Sequence, residues 1–174
     1  MTALRKSVTL GVAMTVAIAS TTLGAGPASA EGSTHYANIG NPGWCLDGNG
    51  SSAYLHRCGH GDIDYQLWHY SEDAGQLTLK HVASGNCLTL LTANYVGLGS
   101  CDEPESVWNA VGSPPWVKFV NVPYRGCLRP VGTEVGGQST YDLRVQRDCD
   151  LNPNTADDPD SIANVPNIFA WRYH

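Results

Sequence analysis

The sequence contains few charged residues, and positively charged ones are especially scarce. Charged residues make up 15% of the 174, and 10 Lys plus Arg stand against 16 Asp plus Glu, which gives a net charge of −6. A nucleic-acid-binding surface needs a concentration of Lys and Arg, so no nucleic-acid partner is expected. Intrinsic disorder is also disfavoured, because five Trp and eight Tyr can bury large apolar areas. The composition therefore indicates one folded domain.

Motifs for catalysis and cofactor binding are also missing from the chain. It has neither His-Glu-x-x-His nor Gly-x-Ser-x-Gly, which supply metal-bound water or an activated serine in hydrolases. The histidines have no zinc-ligand spacing; they are His35, His56, His60, His69, His81 and His174. We therefore expect a protein that is not an enzyme and that needs no cofactor and no metal.

Residues 1–30 have the pattern of a secretory signal peptide. A basic pair, Arg5-Lys6, precedes an apolar run over 8–23, and small residues lead to a cleavage point after Ala30. The alternative is an uncleaved membrane anchor, but a spanning helix needs about 20 apolar residues and this run is shorter. We expect a secreted, extracellular chain of residues 31–174 with a net charge of −8 and no membrane span.

A threefold repeat organises the rest of the chain. Each unit has a Gly before a Cys-Leu pair, a second Cys beyond a strand-like stretch, and a Trp further on. Six cysteines in an exported chain indicate a disulfide framework. Because each unit would then close itself in the same way, the repeat favours pairing within units. The predicted pairs are Cys45–Cys58, Cys87–Cys101 and Cys127–Cys149.

Alternating hydrophobicity predicts β-strands along the chain. Residues 77–82 and 117–122 alternate apolar and polar side chains, and Gly, Pro, Asn and Ser cluster between such stretches. No stretch after residue 30 shows sustained helical periodicity. Many short strands with frequent turns indicate an all-β sandwich or barrel.

The first unit contains two motifs, Gly-x-Cys-Leu-Asp at 43–47 and Gln-x-Trp at 66–68. The other two units have Ser106 and Phe169 where the Gln stands, and each keeps the Trp. Together these motifs resemble the ricin B-type lectin family over residues 35–173.

The resemblance implies an all-β chain folded as a β-trefoil with pseudo-threefold symmetry. Twelve strands would form a six-stranded barrel capped by three hairpins, with repeats over about 35–76, 77–115 and 116–174. The repeat Trp side chains would be buried structural anchors near the centre. These are Trp68, Trp108 and Trp171.

The resemblance also implies a shallow sugar pocket in each repeat, and repeat 1 keeps most of the required residues. A sugar needs an aromatic face for its C–H groups and directed acceptors for its hydroxyls. Asp47 would accept hydroxyl donors, His56 or Tyr54 would stack on the ring, and Gln66 or Tyr65 would support them. The alternative is that Asp47 caps a turn and His56 is a solvated strand residue.

Repeats 2 and 3 depart from this pattern. Repeat 2 has Thr89 in place of the Asp and Gly99 in place of the ring, so it lacks its central acceptor. Repeat 3 has Arg129 at the Asp position, with Arg147 or Gln146 near the ring position. Its arginines, which include Arg144, could suit an anionic group such as a sialic acid carboxylate, or could pair with surface acids.

An acidic insertion at 150–167 interrupts repeat 3. Its aspartates raise the question of Ca²⁺, but their spacing matches no EF-hand, so a solvated loop or a partner contact is favoured. Three functions follow from these features. The first is a secreted lectin, the second is the targeting subunit of a secreted toxin or surface assembly, and the third is a hydrolase inhibitor that acts through 150–167.

Overall fold

The computed structural model describes residues 30–73, 75–112, 116–131, 140–147, 149 and 169–173. The predicted signal sequence before residue 30 and the acidic insertion at 150–167 lie outside these described residues. The described elements are thirteen strands and two short 3-10 helices, at Ile63–Tyr65 and Pro104–Ser106. The strands are β1 Ala30–Thr34, β2 Tyr36–Asn38, β3 Trp44–Asn49, β4 Ser52–Arg57, β5 Trp68–Asp73, β6 Gln76–His81, β7 Cys87–Leu90, β8 Val96–Gly99, β9 Trp108–Val111, β10 Trp116–Asn121, β11 Gly126–Pro130, β12 Tyr141–Gln146 and β13 Trp171–Tyr173.

The chain folds as a β-trefoil, as the sequence predicts. Antiparallel pairs close a barrel in the order β1, β5, β6, β9, β10, β13 and β2. Strands β1 and β2 are one barrel strand that changes partner at His35, from β5 to β13. This break is why there are thirteen strands where twelve were expected. The hairpins β3–β4, β7–β8 and β11–β12 form the cap, one for each repeat.

The three repeat tryptophans anchor the core in the same way, and their predicted burial is confirmed. Each is fully buried, and each indole Nε1–H donates to the carbonyl oxygen of the Leu that follows the leading Cys of its own repeat. The three distances are 3.1, 2.9 and 3.3 Å, for Trp68 to Leu46, Trp108 to Leu88 and Trp171 to Leu128. A buried Trp needs such a partner, so this bond ties each hairpin to the barrel.

All three predicted disulfides are present. They are Cys45–Cys58, Cys87–Cys101 and Cys127–Cys149. Their Cα–Cα distances of 5.0, 4.9 and 5.9 Å are ordinary for a disulfide. Each closes the loop between the leading and the second Cys of one repeat, and contributes about 3 kcal/mol in the chain-entropy model.

The hairpin registers align the three repeats residue by residue. Asp47 lies opposite Tyr54, as Thr89 lies opposite Gly97 in the second hairpin. In the third hairpin the corresponding pair is Arg129 and Arg144. Two residues earlier on the first strand of each hairpin lies the leading Cys, and the residues opposite the three leading cysteines are His56, Gly99 and Gln146. The register therefore gives Gln146, and not Arg147, the place that His56 has in repeat 1.

Candidate functional site

A shallow cavity of about 230 Å³ opens on the first hairpin. It lies between strands β3 and β4 and the 3-10 helix Ile63–Tyr65 that follows them. Four of the five residues predicted for the site line it, and the fifth, Gln66, lies beneath it. The lining residues are Asp47, Asn49, Tyr54, His56, His60, Gly61, Asp62 and Tyr65.

Strand alternation explains why these side chains meet. Side chains two residues apart on a strand share a face, so Tyr54 and His56 point to the same side of β4. Asp47 is the cross-strand partner of Tyr54 and lies on that side too. The helical turn then brings Tyr65 to the rim, where 39% of it is exposed.

Gln66 holds the carboxylate at the floor of the cavity. Its Nε2 donates to Asp47 Oδ2 at 2.9 Å and to the Arg57 carbonyl at 2.8 Å. Its Oε1 accepts from the Gly59 backbone N–H at 2.8 Å. Only 1% of Gln66 is exposed, so its amide is committed to these partners. It orients Asp47 from below.

Asp47 is a buried acceptor, with 4% of its surface exposed. Burial raises the pKa of its carboxyl, and hydrogen bonds from Gln66, Tyr54 and the Gly48 backbone partly offset that rise. A carboxylate has about four lone-pair sites, so these three donors leave acceptor capacity for a fourth. Asp47 is therefore held in a fixed orientation and can still accept one further hydrogen bond.

Tyr54 is held as a hydrogen-bond donor beside that carboxylate. Burial and the negative charge of Asp47 raise the pKa of Tyr54 to about 12. The phenol therefore stays protonated at physiological pH and hydrogen-bonds to Asp47. The ring of Tyr54 also lies beside that of His56, the next side chain on the same face of β4, with a centroid distance of 6.4 Å.

Two histidines form one wall of the cavity. The rings of His56 and His60 have centroids 4.0 Å apart and are inclined by 65°. His60 therefore covers part of the His56 ring. Within the described residues the buried Nδ1 of His56 has no hydrogen-bond partner. Of the site's ring side chains, Tyr65 on the rim and His60 are exposed, whereas Tyr54 and His56 are half-buried.

His81, from the second repeat, supports the rim and was not predicted from the sequence. It is fully buried, its Nε2–H donates to the Tyr65 carbonyl at 3.0 Å, and its Nδ1 accepts from the Ser84 hydroxyl at 2.8 Å. Because a carbonyl only accepts, these partners define the tautomer. Burial lowers the pKa of His81, which keeps the ring neutral.

The repeat contains a signal that would have identified His81. Asn38 and Asn121 end barrel strands in the same way, and both are buried. Each donates through Nδ2 to a backbone carbonyl near a repeat Trp and accepts, through Oδ1, from the backbone N–H three residues later. The carbonyl bound by Asn121 lies three residues before the Trp, as does the one bound by His81, whereas the one bound by Asn38 directly precedes it. His81 and Asn121 each lie six residues before a leading Cys. Asn49, His60 and Asp62 carry no such signal, because they lie outside the repeated pattern.

The second hairpin lacks the equivalent chemistry. The hydroxyl of Thr89, at the Asp47 position, donates to the Cys87 carbonyl of its own strand at 2.9 Å. Gly97 and Gly99 place no side chain opposite it. A Cβ on Gly99 would come within 3.2 Å of the Thr89 side chain, so the two are closely packed. This hairpin offers neither a carboxylate nor a ring at these positions.

Neither metal nor membrane features emerge from the described part of the chain. Among those residues, no three His, Cys, Asp or Glu side chains are placed to hold a metal ion. None of the helices found there has the length and apolar character to cross a membrane.

Comparison with known proteins identifies the fold. No family model matches this sequence, and no curated protein matches it significantly. The designed threefold-symmetric protein ThreeFoil is similar with a TM-score of 0.57 at 14% identity, over 81% of this chain and 96% of that chain. SeviL bound to asialo-GM1 saccharide gives 0.57 at 14% identity, over 83% and 98%. The cytolethal distending toxin of Haemophilus ducreyi gives 0.56 at 10% identity, over 70% and 77%. At such identities the likeness establishes the β-trefoil fold alone.

Proposed function

We propose that this chain is a secreted, non-catalytic carbohydrate-binding protein, and that the repeat 1 cavity binds the sugar. Residues 1–30 would direct export, and residues 31–174 would form the lectin domain in the manner of the ricin B-type family. Three intra-repeat disulfides are consistent with an extracellular protein. The observation that carries the proposal is the buried, oriented carboxylate of Asp47 beneath an exposed aromatic rim.

Each residue of the cavity has a distinct part in this proposal. Asp47 accepts a sugar hydroxyl, and Tyr65 packs against the C–H face of the pyranose. His56 and Tyr54 complete the wall, and Gln66 holds Asp47 in place. A sugar hydroxyl can replace water here at little cost, because the protein groups are already ordered by their own hydrogen bonds.

The shallow cavity supports weak binding of a monosaccharide. One such site gives dissociation constants of about 0.1–1 mM, or roughly 4–6 kcal/mol. Useful retention on a surface then requires several sites at once, in an oligomer or on a dense glycan. The structure of SeviL with a saccharide shows that a related fold accommodates such a ligand, which adds support.

A glycan array with matched variants tests the proposal. Asp47→Asn keeps the shape of the side chain and removes its charge, and it should abolish binding to every neutral glycan that the wild type retains. Asp73→Asn is the control, because Asp73 is exposed at the end of β5, away from the cavity. Absence of glycan binding by the wild type, or neutral-glycan binding that survives Asp47→Asn, contradicts the assignment.

A second candidate is the targeting subunit of a secreted toxin or surface assembly. It is favoured by the likeness to the cytolethal distending toxin and by a second hairpin that lacks the sugar-binding residues. Native mass spectrometry of the purified secretome separates the two functions. A stoichiometric complex with a second secreted protein supports the subunit, whereas a lone chain that binds glycans supports the lectin.

A further inference from the structure

A second cavity, of about 470 Å³, lies on the third hairpin and has the opposite chemistry. It occupies the face of repeat 3 that corresponds to the Asp47 face of repeat 1, because Arg129 and Arg144 have the hairpin positions of Asp47 and Tyr54. Its lining residues are Asn94, Tyr124, Arg129, Val131, Arg144, Val145, Gln146 and Arg147. Hydrogen-bond donors therefore replace the acceptor found in repeat 1.

Two of the three arginines are held by stacking on tyrosines. The Arg144 guanidinium lies 4.4 Å from the ring centroid of Tyr95, and that of Arg147 lies 4.2 Å from Tyr124. Stacking occupies only the face of a guanidinium, so its in-plane N–H groups can still donate. Arg144 uses one of them, since its Nη1 donates to the Leu143 carbonyl at 3.2 Å, and the others face no such partner among the described residues apart from the ion pair given below. Stacking also orders a long side chain before any ligand arrives, which lowers the entropic cost of binding.

The third arginine is held by hydrogen bonds. Arg129 Nη1 donates to Gln146 Oε1 at 2.6 Å, and its Nε donates to the Pro130 carbonyl at 3.1 Å. A guanidinium has five N–H donors, so these two bonds leave donors for a ligand. Gln146 therefore orients Arg129, as Gln66 orients Asp47.

The charge around this cavity is unbalanced. Three of the ten basic residues of an acidic chain line it, and none of the described residues that line it is acidic. Among the described residues one ion pair involves these arginines, from Arg144 Nη2 to Asp142 Oδ2 at 3.7 Å. That distance is long for a charge-assisted hydrogen bond, and the pair is partly exposed, so it neutralises little of the positive charge.

We propose that the repeat 3 cavity binds the carboxylate or sulfate group of an acidic saccharide. Planar guanidinium groups recognise such oxyanions through paired N–H···O bonds. That the anion is carried by a saccharide rests on the proposed function, whereas anion binding itself rests on the three arginines. The chain would then contact a glycan at two places, through an acceptor in repeat 1 and through donors in repeat 3.

Isothermal titration with four probes tests this proposal. Sialyllactose carries a carboxylate, sulfated lactose carries a sulfate, lactose carries neither, and inorganic sulfate is the free anion. Wild type should bind an acidic saccharide more tightly than lactose, with an affinity that falls as salt is added. Arg144→Gln with Arg147→Gln should weaken that binding by about ten- to a hundredfold, since each lost bond involves a charge. Binding of inorganic sulfate as tight as that of the saccharides would reduce the site to a general anion site and overturn the saccharide claim.

Matched variants make the outcome specific. Arg172→Gln removes another arginine that stacks on an aromatic ring, Trp116 at 5.5 Å, outside the cavity, and it should leave binding unchanged. Asp47→Asn should remove lactose binding and leave the additional affinity that the acidic group provides. Failure of the repeat 1 site and failure of the repeat 3 site would therefore give different results. Equal affinity for lactose and the acidic saccharides, or an equal loss in Arg172→Gln, would overturn the proposal. Unchanged thermal unfolding of the double variant would confirm that the fold is intact.

Discussion

The cavities of repeat 1 and repeat 3 occupy equivalent places on the same scaffold but have opposite charge. In repeat 1 a buried carboxylate lies opposite a tyrosine, and in repeat 3 an arginine lies opposite another arginine. The Trp, Leu and Cys beneath them make the same contacts in both repeats. The inward side chains therefore specify the structure of the hairpin, whereas the outward ones determine the charge of its cavity.

Removing one repeat anchor should have the largest effect and, because one barrel supports both hairpins, should disable both cavities together. Trp68→Ala deletes a fully buried side chain, so the free energy of unfolding should fall by about 3–5 kcal/mol. Urea denaturation followed by circular dichroism measures this. Trp116→Ala is the control, because Trp116 is only half-buried and is not one of the repeat anchors. Equal losses in the two variants would show that the repeat tryptophans are not special.

Removing the hydrogen bonds that orient Asp47 should weaken binding in the repeat 1 cavity and leave the repeat 3 cavity unaffected. Gln66→Ala leaves the Asp47 carboxylate, the Arg57 carbonyl and the Gly59 N–H without the amide that joins them. We expect a loss of about 3 kcal/mol of stability, together with weaker neutral-sugar binding, because these groups are buried or half-buried. Binding of an acidic saccharide should persist. Loss of both activities in a folded variant would show that the sites are not independent.

The symmetry of the scaffold predicts a rescue at His81. His81→Ala removes the donor to the Tyr65 carbonyl and should cost about 1–2 kcal/mol. His81→Asn should recover part of that loss, because Asn121 holds the equivalent place in repeat 3 and Asn38 a similar one in repeat 1. Comparison of the two urea midpoints provides the measurement. An Asn variant no more stable than the Ala variant would contradict the equivalence.

The pH dependence of binding should differ between the cavities. Burial raises the folded-state pKa of Asp47, so its ionisation costs stability as pH rises from the unfolded pKa to the folded one. Neutral-sugar binding needs the carboxylate and should fall by about tenfold per pH unit below that raised pKa. Sulfated-saccharide binding should stay flat over the same range, because it does not require the Asp47 carboxylate. Titrations at successive pH values would show whether this holds, with binding of the sulfated saccharide by Asp47→Asn as the pH-independent control.

Much of the fold could be predicted because the same pattern of Cys, Leu and Trp occurs in all three repeats. The repeated spacing of the cysteines predicted the disulfides, and the motif resemblance implied the trefoil and the buried tryptophans. The break of the first barrel strand at His35 was not predictable, since it depends on two partner strands, β5 and β13, that lie about 100 residues apart in the sequence. The family assignment, and with it the sugar-binding role, stays a prediction.

The candidate site was predictable only where it follows the repeated pattern. Asp47, Tyr54 and His56 occupy motif positions on one hairpin, and the structure brings them together. His60 and Asp62 come from an irregular loop whose path no periodicity specifies. The burial of Gln66 could not be predicted either, because its exposure depends on the packing of three separate backbone segments.

Closure of the barrel has a consequence for how the protein behaves when concentrated. Among the described strands, each except β1 pairs with at least two others, in places through a single residue pair, so the stretches of backbone edge open to another chain are short. Open edges are the usual templates for aggregation. Association of copies would therefore proceed through side chains or through the five-residue β1 edge. The protein should tolerate crowding on a glycan-coated surface without polymerising into sheets.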